Sequence, residues 1–193
     1  MVSSTMSTLS YGITNPTNLL SKLMADASKI TAVPHPHDTF NFLITAAVLS
    51  EWIAKYYPDN SAVKSIKSAL ENKDWTKLPN ETLLWIANAE CLPNNGCDLR
   101  LHVWNATRIC WHTANASKHF QWCSSSNITA IEDTPNIKDW YQYFFTSTTP
   151  GLYIEYDREY YSIEQIRDIV VQLYCGLLSH IEKTVPVLTG GHL

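Results

Sequence analysis

The chain has 193 residues, 45% of them hydrophobic and 17% charged, the proportions of an ordinary folded domain long enough to bury one sizeable core. A formal net charge of −4 removes any general attraction to nucleic acid or to an anionic membrane, so such a partner would need a local basic patch. Seven Trp and ten Tyr make the chain aromatic-rich.

Residues 1–14 are Ser/Thr-rich and unpatterned, and read as a flexible N-terminus without the basic and apolar regions of a secretory signal. From Thr17 to Ile30, Leu19, Leu20, Leu23, Ala27 and Ile30 recur at helical spacing. Pro34 and Pro36 then impose an extended linker carrying His35 and His37. Asp38 is placed to cap a second helix that Pro58 ends, and its polar exceptions Asp38, Asn41 and Thr45 share one side. Glu51 and Lys55, four apart, are expected to form a solvated pair. These polar residues make the stretch too hydrophilic to span a membrane.

A short surface helix follows, with Val63, Ile66 and Leu70 inward, and then another that Asn80 can cap. The turn PNNG separates it from Asp98–Trp122, a run without Gly or Pro that makes a helix of about seven turns. On the helical period Arg108, His112, Asn115 and His119 form one narrow stripe, flanked by Trp104, Trp111 and Trp122. The rest of the circumference is largely apolar, so this helix is expected at the centre of the molecule, with partners required for the stripe. One such partner for Arg108 is an acid such as Asp38.

Beyond Trp122 the composition turns β-branched and aromatic, with alternation in 127–132 and 152–156 and a hairpin tip at Asp157 and Arg158. Tyr153 and Tyr156 are expected on an exposed strand face, where they would contact a partner protein. Ser162 and Gln165 form a capping box opening a last helix, and residues 187–193 read as a flexible tail. The expected architecture is mainly α: a single helical domain over residues 15–186, built around one long central helix, with a small antiparallel β element near 126–161.

Arg108 can stabilise a phosphate oxyanion and His112 or His119 can move protons, with Asn115 orienting them, which are the parts metal-independent RNA cleavage needs. The competing reading makes the same stripe a buried structural network. No cofactor is expected, and His119 with Cys123 matches no standard zinc spacing, so no metal is either. The phosphate-loop, dinucleotide, nucleophile-elbow and zinc-protease motifs are absent. Five cysteines without a framework spacing, and two N-x-S/T triplets inside the central helix at Asn105 and Asn115, point to reduced thiols and a cytoplasmic chain.

Two segments carry a resemblance. FNFLITAAVLSEW, Phe40 to Trp52, and the stretch Cys97 to Phe120, with CDLR at its start and ANASKHF at its end, resemble an uncharacterised bacterial helical family. The likeness implies a compact helical domain with a β appendage. More distantly the arrangement is similar to the HEPN superfamily, whose ribonucleases act in toxin–antitoxin and phage-defence systems through an Arg, a polar residue and a His. Here only three residues separate Arg108 from His112, and Ile109 occupies the polar position. The expected function is binding of a protein partner in such a system, with a homodimer as one option for its oligomeric state, which the sequence leaves open. The alternative is an RNA-cleaving relative using Arg108, His112 and His119.

Overall fold

The computed structural model describes residues 12–90, 92, 97–119, 128–132 and 151–184, with only the backbone path given for 117–119 and 128–132. Among these residues the order is α1 (Pro16–Ala27), α2 (Pro36–Tyr56), α3 (Ser61–Glu71), a single 3-10 turn (Trp75–Lys77), α4 (Glu81–Ile86), α5 (Leu99–His119), β1 (Ile128–Glu132), β2 (Tyr153–Tyr156), β3 (Glu159–Ser162) and α6 (Ile163–Thr184). The chain is mainly helical with a small antiparallel sheet. The two terminal segments, Trp122, Cys123 and the aromatic run 140–145 lie outside the described residues.

The central position of α5 follows from its composition. Six consecutive residues, His102 to Thr107, are all buried, and six residues on a 3.6 period cover the full circumference. Helices α2, α4 and α6 pack around it. The hydroxyls of Thr107 and Thr113 are satisfied by donating to the carbonyls of Val103 and Ile109, at 2.8 and 2.9 Å. Asp98 accepts from the amide of Arg100 at 2.9 Å and from its guanidinium at 2.7 Å, which holds its carboxyl below the usual carboxylate range.

The start of α2 differs from expectation. The cap is His35, whose Nδ1 accepts from the amide of His37 at 3.2 Å, with Pro36 at the first helical position. Asp38 lies in the first turn and pairs with Lys29 at 3.8 Å, so it is not the partner of Arg108. Thr45 likewise turns to α1, where its hydroxyl donates to Asp26 at 2.7 Å and accepts from Lys22. The polar side of α2 therefore faces α1, and its apolar side, with Phe42, Ala46, Leu49 and Ile53, faces the core. Asn80 does not cap α4 with its side chain.

The sheet runs β1-β2-β3, every pair antiparallel. Asp157 and Arg158 close the β2–β3 hairpin with φ of 51° and 69°, the positive values a two-residue turn of matching twist requires. Ile154, Tyr156 and Tyr161 are its buried side chains. Tyr156 is fully buried at 0% exposure, so the expected partner-facing position is corrected: its ring packs edge-on against Trp104 with centroids 6.3 Å apart. Tyr153 is half-buried. Ser162 and Gln165 bond reciprocally at 3.0 and 3.1 Å and open α6 directly from β3.

Helix α6 meets α4 closely at Gly176. A Cβ at this position would lie 2.4 Å from the Cβ and Cγ of Trp85, closer than real contacts allow. Gly176→Ala is expected to lower stability by about 1–3 kcal/mol in denaturant unfolding. The same substitution in a Trp85→Ala background should cost measurably less, because the obstructing side chain is gone.

Candidate functional site

Two polar groups of sites arise along α5. The first is structural. The phenol of Tyr161 from β3 sits 2.9 Å from Nδ1 of His102 and accepts from Nδ2 of Asn105 at 2.7 Å, all three side chains being buried. Burial pushes the Tyr161 phenol up to about 12 and lowers the His102 imidazole, so both are neutral near pH 7. This network fastens the hairpin to the central helix. Tyr161→Phe strands buried polar atoms on two residues and is expected to destabilise by about 1–3 kcal/mol, read as a lower unfolding midpoint.

The second site begins one turn further along. Arg108 Nη2 lies 3.1 Å from His112 Nε2, an i,i+4 contact on one face of α5. A guanidinium has donors only, so Nε2 is the acceptor and the imidazole proton sits on Nδ1. The guanidinium carbon lies 5.5 Å from the Trp104 ring centre and 5.0 Å from that of Trp111, giving the cation two aromatic neighbours. Among the described residues no carboxylate comes within 4 Å of it, and its buried Nε has no hydrogen-bond partner.

Arg108 and His112 form part of the wall of a cavity of about 580 Å³ between α2, α3, α5 and α6. Ala47, Ile53, Val63, Ile66 and Leu177 supply apolar wall, and Trp111, 42% exposed, stands at the rim. Lys67, Lys73, Glu51 and Glu71 complete the lining with charge. Glu51 reaches this cavity from α2 and makes no contact within 4 Å with Lys55, contrary to the expected pair. Lys67 and Glu71 are paired at 3.6 Å.

His112 is held neutral. Burial, chiefly, and then the positive charges of Arg108 and Lys73 draw its imidazole from 6.5 down to about 4, against a smaller opposing pull from Asp157. The fold thus favours the unprotonated ring. Its stabilisation is complete above about pH 6.5 and is lost as the pH falls toward 4, where the ring must charge and give up the bond from Arg108. His102 contributes in the same direction. Lowering the pH from 7 to 4.5 is expected to remove about 1–2 kcal/mol through His112, after allowance for solvent at the cavity wall. Denaturant unfolding of His112→Gln across that range should show a flatter profile than the parent.

Of the stripe, then, Arg108 and His112 come together at the cavity. Asn115 is half-buried and lines no part of it, and the His119 side chain lies outside the described residues. The His35, His37 and Asp38 cluster lies at the start of α2, away from the cavity lining; its two imidazoles stack at 4.9 Å. Cys110 and Cys175 are free thiols, and burial pushes the Cys110 thiol far up, which leaves it unreactive. Among the described residues no three His, Cys, Asp or Glu side chains gather as a metal cluster, and no helix is long and apolar enough to cross a membrane.

Sequence reasoning passed over His102, Asn105 and Lys73. Asn105 falls on the stripe, seven residues before His112, and was there to be found. Lys73 follows α3, and no periodicity relates it to α5. Compared with protein-family models, with characterised proteins and with solved structures, the chain matches none.

Proposed function

We propose that the protein works by binding a protein partner, and that the cavity beside Arg108 and His112 receives an acidic side chain of that partner flanked by apolar ones. The observation that carries this reading is a half-buried guanidinium with no carboxylate within 4 Å among the described residues, on the wall of a largely apolar cavity with a tryptophan at the rim. A cation so placed is complemented by an incoming anion, and the walls and Trp111 offer apolar contact around it. The volume, about 580 Å³, lies within the usual range for ligand pockets and accommodates a few side chains.

A second reading, metal-independent RNA cleavage, is favoured by the 3.1 Å contact between Arg108 and His112, which sets an oxyanion donor beside an imidazole. Against it, a base with a pKa of about 4 abstracts protons poorly at neutral pH, and its Nε2 lone pair is already engaged. Asn115 is not at this wall to assist.

Selection from a random-peptide display library on the purified protein is expected to enrich sequences with Asp or Glu beside Phe, Trp or Leu. Arg108→Gln and Trp111→Ala should each weaken the selected peptides at least about tenfold. Lys64→Ala, on the exposed side of α3, should leave binding unchanged. Cleavage of single-stranded RNA in the presence of EDTA, abolished by His112→Ala without a change in melting temperature, would decide for the second reading instead.

A further inference from the structure

Lys73 is the residue immediately after the C-cap of α3, and its φ of 52° places it in the left-handed region. That position usually takes Gly, or Asn, because a Cβ there crowds the backbone. The conformation is enforced from both sides. The amide of Asp74 donates back to the carbonyl of Ala69 at 3.0 Å, closing the end of α3, and the Asp74 side chain then caps the 3-10 turn through Thr76. The backbone would be as well served by glycine. What the lysine adds is a positive charge on an exposed side chain that contributes to the cavity lining, near enough to be felt at His112.

The charges of the cavity can be taken in turn. Lys67 is compensated by Glu71 at 3.6 Å. Among the described residues no carboxylate lies within 4 Å of Lys73 or of Arg108, and Glu51, on the α2 wall, is likewise without a cation within that distance. Among the described residues the cavity thus has a half-buried cation without an acid on α5, an exposed cation at the end of α3 and an exposed acid on α2.

Resting on the binding reading above, we infer that Lys73 is a second cationic contact for the occupant's acidic group, which it and Arg108 hold from two different elements. The acid enters toward α5 and the end of α3, and Glu51 disfavours a second acid toward α2. A lysine at a glycine-type position thus serves the ligand and not the fold. The bland alternative is a lysine placed to complement the negative end of the α3 dipole, and stability separates the two.

The test uses the full chain and two blocked dipeptides, acetyl-Asp-Phe-amide and acetyl-Asn-Phe-amide, followed by the shift of the Trp111 indole proton in NMR titrations. The parent is expected to bind the Asp peptide and to bind the Asn peptide markedly less. Lys73→Gly should weaken the Asp peptide about fivefold with a melting temperature equal to or above that of the parent, and Lys73→Arg should stay within about twofold. Lys73→Gly binding as well as the parent overturns the role of Lys73 and leaves the cavity reading standing. Lys73→Gly losing both stability and affinity, while Lys73→Gln keeps affinity, overturns it in favour of the helix-dipole role. A parent that does not distinguish Asp from Asn overturns both readings. So does binding of phenyl phosphate without either peptide, which would make the occupant a small molecule.

Discussion

From His102 to Thr107 α5 is buried around its whole circumference and cannot leave a polar side chain to water, and that constraint organises the molecule. His102 and Asn105 are met by one phenol, carried in on a hairpin whose other inward groups, Ile154 and Tyr156, bury beside it. The sheet is thus held to the helical body by hydrogen bonds as well as by apolar contact. Thr107 and Thr113 turn their hydroxyls back to their own helix. Among the described residues Trp104 Nε1 and Asn105 Oδ1 are buried without a hydrogen-bond partner, and at Arg108 a charge is involved: two indoles and one imidazole nitrogen surround a cation to which no described acid is paired.

That incompleteness is sustained by small terms acting together. The indole faces give the guanidinium an electrostatic environment richer than an aliphatic wall, and His112, kept neutral, offers a lone pair in place of a second positive charge. Arg108 itself forms part of the wall of the adjoining cavity. An acid supplied from within would close this arrangement, as Glu71 does for Lys67. Among the described residues no acid does this at Arg108 or Lys73, and on that the proposed binding of an acidic group rests.

The helical architecture and the Arg108–His112 spacing were legible because periodicity is a local property. Leu19, Leu23 and Ala27, the last-helix series from Ile163 to Ile181, and the reciprocal Ser162–Gln165 cap all express spacings that a single element determines, and all appear in the structure. The same holds for the Asp157–Arg158 turn. What misled was inference from one element to its neighbour. Asp38 and Thr45 share a side of α2 as expected, but that side meets groups on and just after α1, Asp38 through an ion pair with Lys29 and Thr45 through hydrogen bonds with Lys22 and Asp26. The alternation in β2 marked two faces without saying which one would be inward, and Tyr156 went to the core.

By itself the sequence determined that α5 would be a long helix with a cation and an imidazole one turn apart beside tryptophans, since 3.6 residues per turn leaves those side chains no other relation. Tertiary structure alone decided that His112 would be neutral, that no described acid would reach Arg108, and that Lys73, thirty-five residues earlier in the chain, would share the same cavity. The physical reason is that charge and solvation depend on distances in space between separate elements. Those distances are set by how helices pack, not by the period of any one of them.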